Sequence, residues 1–121
     1  MGNKEIIVEI PSRQHLFELI KKNDGILVLK FGAEWCGPCK RIENTVKDWF
    51  SIMPANVTCG IIDCDESFDV YAFYKNKKII RTIPAILRFN ADNEHWAPDD
   101  AIFSSDPTDI EDFFKRIIKD A

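Results

Sequence analysis

Apolar and polar positions along the chain change their period several times, and each change marks an element. Glu5–Ile10 alternates and predicts a short strand. Ser12 stands ahead of Leu16, Phe17, Leu19 and Ile20 at helical spacing, which predicts a Ser12-capped helix. Asn23-Asp24-Gly25 ends it with turn chemistry. Ile26–Phe31 is a short apolar run between turns, the pattern of a buried strand. Cys39, Ile42, Val46, Trp49, Phe50 and Met53 share one face of a continuous helix, which Pro54-Ala55-Asn56 breaks. Val57–Asp63 predicts a second buried strand. Phe68, Tyr71 and Ala72 predict another helix running towards Lys75-Asn76-Lys77-Lys78. Pro84 opens a third core strand, Ala85–Phe89, and Ala101-Ile102-Phe103 predicts a short edge strand. Asp106 caps the last helix with Pro107 at its first position, and Ile110, Phe113, Phe114, Ile117 and Ile118 form its apolar stripe. Helices and strands alternate before strands become neighbours, so an α/β fold with a mixed central sheet is expected.

Composition narrows the class. At 121 residues and 45% hydrophobic, the chain reads as one domain over residues 1–121 with a core of its own. A net charge of −4 argues against a nucleic-acid or anionic-membrane partner. No apolar run approaches the roughly 20 residues of a membrane helix. Met1–Ile6 carries neither a signal-peptide core nor, with Ile6 where Ser or Thr is usual, a myristoylation signal. The chain therefore reads as intracellular, most simply cytoplasmic. The charges are segregated: Lys75, Lys77, Lys78 and Arg81 form a basic cluster, whereas Ala91–Phe114 holds eight acidic residues and no Lys or Arg. Two solvated faces are the simpler reading of that segregation.

In a reducing compartment four cysteines point to catalysis or metal binding rather than structural bridges. Thiol–disulfide exchange needs a thiolate attacker and a second thiol near enough to resolve the mixed disulfide. Cys36-Gly37-Pro38-Cys39, between a buried strand and a helix, meets that need at two-residue spacing. A helix N-terminus favours a thiolate at Cys36. Cys39, a turn further in, is expected to be more buried. Gly37 and Pro38 fix the turn, and Pro38 removes an N–H that would lack a partner.

The stretch Ala33–Lys40, with Ile83-Pro84 ahead of a core strand, closely resembles the thioredoxin family, and the element order from about Ile7 to Ile118 is similar too. The resemblance implies a thioredoxin fold, with helices on both faces of a mixed sheet, and a protein disulfide oxidoreductase. In it Cys36 is the nucleophile and Cys39 the resolving thiol, Trp35 shields the site, and Trp35, Ile83 and a cis Pro84 dock substrate. It implies disulfide-containing protein substrates, and a thioredoxin-reductase-like or glutathione-type reductant to recycle a monomer that needs no cofactor or metal. A role in electron transport and cell redox homeostasis follows from the same resemblance.

Departures qualify it. Lys30 stands where the family usually has a buried Asp, six residues before Cys36. The family's lysine partner falls near Ile61, which leaves Asp63 as a possible counter-charge for Lys30. Asn44 replaces a helix proline, Asp65–Pro84 is longer than usual, and Phe103-Ser104-Ser105 stands where a glycine-containing substrate loop is usual. A cationic Lys30 near the cysteines would favour the dithiol and make the protein more oxidising than one with Asp there; alternatively Lys30 snorkels to solvent without effect. Spliceosomal thioredoxin-like proteins also carry a basic residue near this position and act mainly through interactions, so an interaction module is the alternative function.

The remaining candidates read as structural. Cys59 and Cys64 could join the first pair at a metal, but along a strand they point to opposite faces and read as buried hydrophobes. His15 and His95 read as surface residues, and Trp49 as core. Trp96 either caps the sheet or meets a partner. Asp63, Asp65 and Glu66 read as strand-end and helix-start charges.

Overall fold

A computed structural model describes residues 5–121. The expectations for Met1–Lys4 lie outside the described residues. Helix α1 (Arg13–Lys22) leads to strand β1 (Ile26–Gly32). Helices α2 (Gly37–Arg41) and α3 (Glu43–Ser51) follow, then β2 (Val57–Asp63) and α4 (Phe68–Asn76). Strands β3 (Ala85–Phe89) and β4 (Asp100–Ile102) precede α5 (Pro107–Asp120).

The sheet order is β2-β1-β3-β4. β1 pairs parallel with β2 and antiparallel with β3, which pairs antiparallel with β4. The sheet is therefore mixed, with the seven-residue β1 fully buried inside it. Alternation along β1 assigns its side chains to two cores. Leu27, Leu29 and Phe31 join Leu16, Ile20, Val70, Phe73 and Tyr74 beneath α1 and α4. Ile26 and Val28 join Val46, Phe50, Phe113 and Phe114 beneath α3 and α5. Lys30, with Ile61 and Ile86 as its register partners, follows Ile26 and Val28 on that second face.

Local chemistry explains the helix ends. Ser12 Oγ accepts the His15 N–H at 3.1 Å, and Asp106 accepts the Thr108 N–H at 2.8 Å, each satisfying a first-turn donor. Arg13 ties α1 to α4: its Nε and Nη2 both reach Asp69 Oδ1, at 3.0 and 2.7 Å. Helix α4 closes with Ile79 N–H bonded to the Tyr74 carbonyl and Lys78 N–H to that of Lys75. This closure holds Lys78 at φ 60°, a left-handed position usually given to glycine.

Four expected elements differ. Glu5–Ile10 forms one parallel bridge, Ile7 to Gly60, and no strand. Ile7 donates to the Cys59 carbonyl and accepts from the Ile61 N–H, so this segment borders the free edge of β2 without extending along it. The helix expected to run unbroken from Cys39 to Met53 divides at Ile42, whose φ of −101° and ψ of 2° are not helical. Neither proline nor glycine stands there; Ile42 is turned into the α3–α5 core and is 2% exposed. The edge strand is Asp100–Ile102, one residue earlier than expected, so Phe103 lies outside it. Finally, α4 buries Val70, Phe73 and Tyr74 and leaves its first residue, Phe68, exposed to solvent.

Candidate active site

The C-terminal end of β1 delivers the chain to the cysteine pair. Gly32 ends the strand, and Cys36 occupies the N-cap position of α2, with Gly37 and Pro38 in the first turn. The Cys39 N–H lies 3.2 Å from Cys36 Sγ, so a helix-start donor points at the sulfur. Cys36 and Cys39 form a disulfide, their Cα atoms 5.3 Å apart. Both residues are covered, Cys36 at 5% and Cys39 at 3% exposure. The difference expected between them is thus small, because Ile83 and Ala33 pack over both.

The Ile83–Pro84 peptide bond is cis and lies beside the pair. The Ile83 carbonyl oxygen is 3.7 Å from Cys36 Sγ. Trp35 stands out into solvent at 66% exposure, its ring N–H donating to Asp65 Oδ2 at 3.1 Å. Trp35, Cys36, Cys39, Ile83 and Pro84 are therefore gathered from two parts of the chain.

A cavity of about 400 Å³ opens beside Cys39. Its lining includes Lys30, Gly32, Cys39, Glu43, Asp63 and Glu66. A methyl group added at Gly32 would sit 3.3 Å from Cys39 Sγ and 3.9 Å from Lys30 Cε, so the lysine stem and the Cys39 sulfur flank one point. Lys30 is 5% exposed. Burial lowers its pKa; Glu43 opposes that shift and Lys47 adds to it.

Asp63, the expected counter-charge, is engaged elsewhere: its Oδ1 accepts the Asp65 and Glu66 N–H groups at 2.8 and 3.1 Å. Glu43 acts on Lys30 instead. Sequence reasoning missed it, although its position one turn after Cys39 was the available signal.

Other candidates fall away from the site. Cys59 lies in the α3–α5 core and Cys64 in the α1–α4 core, on opposite faces as expected. Among the described residues, no group of three or more His, Cys, Asp or Glu side chains is arranged to hold a metal ion. His15 and His95 are exposed. Trp49 stacks on Phe114, and Trp96 packs edge-on to Phe73 while its carbonyl accepts the Tyr74 hydroxyl, so Trp96 covers the core.

The thioredoxin family profile matches residues 7–116 of this sequence. The chain belongs to the thioredoxin family. It is 38% identical over 84 residues to thioredoxin H7 of Arabidopsis thaliana, covering 67% of this chain and 61% of that protein. It is 33% identical over 89 residues to the thioredoxin of Mycoplasma pneumoniae, covering 74% of this chain and 81% of that one. Protein disulfide isomerase-like 2-3 of Oryza sativa is 31% identical over 85 residues, 70% of this chain but 18% of its own length. The chain thus spans less than two thirds of some of the curated relatives it matches. Among solved structures, mitochondrial thioredoxin 3 of Saccharomyces cerevisiae in its oxidised form shares the fold, with a TM-score of 0.71 and 27% identity, covering 91% of this chain and 94% of that one. Fold and cysteine pair together support thiol–disulfide oxidoreductase chemistry. Among the described residues, no helix is long and apolar enough to cross a membrane.

Proposed function

We propose that this thioredoxin-family chain is a protein disulfide oxidoreductase that works through Cys36 and Cys39. The observation that carries the reading is the cysteine pair beside the cis Ile83–Pro84 loop, with Cys36 Sγ 3.7 Å from the Ile83 carbonyl. In the dithiol state the Cys36 thiolate attacks one sulfur of a substrate disulfide. One substrate sulfur leaves as a thiolate and the other is held in a mixed disulfide. Cys39 then attacks Cys36 Sγ, the Cys36–substrate bond breaks, and the second substrate sulfur leaves with its electron pair. An external dithiol or glutathione-type reductant returns the Cys36–Cys39 disulfide to the dithiol.

Roles follow from position. Trp35 offers an exposed aromatic surface to the partner, and Ile83 and Pro84 offer backbone and side chain beside the attacking sulfur. Gly37 and Pro38 hold the turn that keeps the two sulfurs within bonding reach. Disulfide-bearing proteins are the substrate class, with the chain acting as a monomer in an intracellular, most simply cytoplasmic, compartment and contributing to redox homeostasis. Reduction of insulin disulfides by the reduced protein tests the activity. Turnover that disappears in Cys36→Ser supports it; wild-type turnover no faster than that variant overturns it.

A second reading, an interaction module with little turnover, draws support from the buried cation at Lys30 and from Phe103-Ser104-Ser105, which extends past the end of β4. The same insulin assay separates the two readings.

A further inference from the structure

The cavity beside Cys39 carries an unusual charge arrangement. Lys30 projects from the centre of the sheet, between Ile61 and Ile86 of the adjoining strands. It is the one lysine among the buried residues described. Every other side chain of β1 packs into an apolar core or, at Gly32, is absent. Such a position disfavours a charge unless the head group reaches a polar space. The cavity provides that space, since both Lys30 and Cys39 line it.

The surrounding charges are mostly negative. Glu43 and Lys47 face Lys30 from α3; Lys40 comes from α2, Glu34 from the loop before it, Asp63 from the end of β2, and Glu66 from the turn before α4. Glu34 pairs with Lys40 at 3.6 Å, and Asp63 is committed to two backbone N–H groups. Without Lys30, a thiolate forming at Cys39 would share the cavity with Glu34, Glu43, Asp63 and Glu66, of which Glu34 is paired with Lys40. That would hold the Cys39 proton on and slow the resolving attack.

We infer that Lys30 is the positioning residue that governs ionisation of the resolving thiol: its ammonium stabilises the Cys39 thiolate across the shared cavity. The inference rests on the redox reading above. When Cys39 ionises, its proton passes to solvent at the cavity mouth, and the thiolate attacks Cys36 Sγ of the mixed disulfide. The bond between Cys36 and the substrate sulfur breaks, and the substrate thiolate takes up a proton from solvent. No additional oxidant or reductant enters this step. The Cys36–Cys39 disulfide carries no charge for Lys30 to stabilise, so the lysine also favours the dithiol over the disulfide.

The test uses the full chain with Cys36→Ala, which leaves Cys39 as the only member of the pair to titrate. Thiolate absorbance is followed against pH with Lys30, Lys30→Met and Lys30→Arg. Lys30→Met is expected to raise the Cys39 midpoint by about one unit, a tenfold loss of thiolate below it. Lys30→Arg is expected to return most of that shift. In chains retaining Cys36, Lys30→Met is expected to move the glutathione equilibrium several-fold towards the disulfide. An unchanged or lowered midpoint overturns the inference, as does a shift equally large in Lys30→Arg, which would make packing rather than charge responsible. Wild-type failure in the insulin assay would overturn the redox reading while leaving the titration result intact, so the two failures are distinguishable.

Discussion

Cys39 and Cys64 are buried to nearly the same degree, at 3% and 1% exposure, and both lie beside Gly32. A methyl group at Gly32 would touch the Cys39 side chain, while the Cys64 N–H bonds the Gly32 carbonyl at 2.8 Å. Their surroundings differ, although Asp63 is near both. Cys64 belongs to the α1–α4 core with Phe31, Ile62 and Tyr74, and burial, assisted by Asp63 and Asp65 and only partly opposed by Lys75, pushes its pKa up to about 12. Cys39 lies in the first turn of a helix, against a cavity that Lys30 shares. Burial alone thus does not decide whether a thiol reacts. What decides it is whether a donor and a cation outweigh burial and nearby carboxylates for a thiolate formed there.

The most severe way to break this comparison is to exchange each sulfur for a hydroxyl. Cys39→Ser should reduce insulin-disulfide turnover to near background and accumulate a mixed disulfide on Cys36, visible by non-reducing electrophoresis. Cys64→Ser should keep wild-type turnover. Comparable loss in both variants would end the distinction between the two thiols.

A second contrast extends the comparison to the two faces of β1. Leu29→Ala, in the closed core, is expected to cost about 3 kcal/mol of stability in chemical denaturation. Lys30→Met, on the cavity side, should cost less than about 1 kcal/mol or stabilise the fold, because it removes a charge that burial penalises. Equal losses at the two positions would show that Lys30 is as much a packing residue as Leu29.

The smallest effect lies in alkaline solution. The folded state holds the Cys64 proton to about pH 12, whereas the unfolded thiol releases it near 9.0. Below pH 9 the contribution of this group to stability is fully present; between those values the unfolded chain binds fewer protons, so stability falls as pH rises. The buried Tyr74 hydroxyl, also raised by burial, acts in the same direction at higher pH. Cys64→Ala should therefore show a shallower loss of stability between pH 9 and 12, read as denaturation midpoints across pH. An unaltered slope would show that Cys64 ionises as easily folded as unfolded.

Much of this architecture is legible in residue pattern. The apolar runs at Ile26–Phe31 and Ala85–Phe89, the caps Ser12 and Asp106, and the α5 stripe from Ile110 to Ile117 each depend on neighbours in sequence, and each is found where expected; Ile118, expected in the same stripe, is exposed because it lies at the stripe's edge. Errors fall where a decision is made across the fold. Glu5–Ile10 alternates like a strand, yet pairing stops after Ile7, since backbone groups on the neighbouring strand decide how far a ladder runs. Ile42 has helical spacing but interrupts the helix while turned into the α3–α5 core. Phe68 is apolar but lies at the exposed start of α4, where Val70, Phe73 and Tyr74 define the inward face.

Sequence by itself determined the cysteine pair, the turn that joins it, the proline at 84 and the anomaly of a lysine in a buried strand, because spacing and residue type settle these locally. The tertiary structure alone decided what surrounds Lys30. It turned Asp63 towards the backbone of Asp65 and Glu66, brought Glu43 into range, and opened one cavity onto both Lys30 and Cys39. Electrostatic environment depends on distance and dielectric between groups far apart in the chain. Only folding sets those quantities.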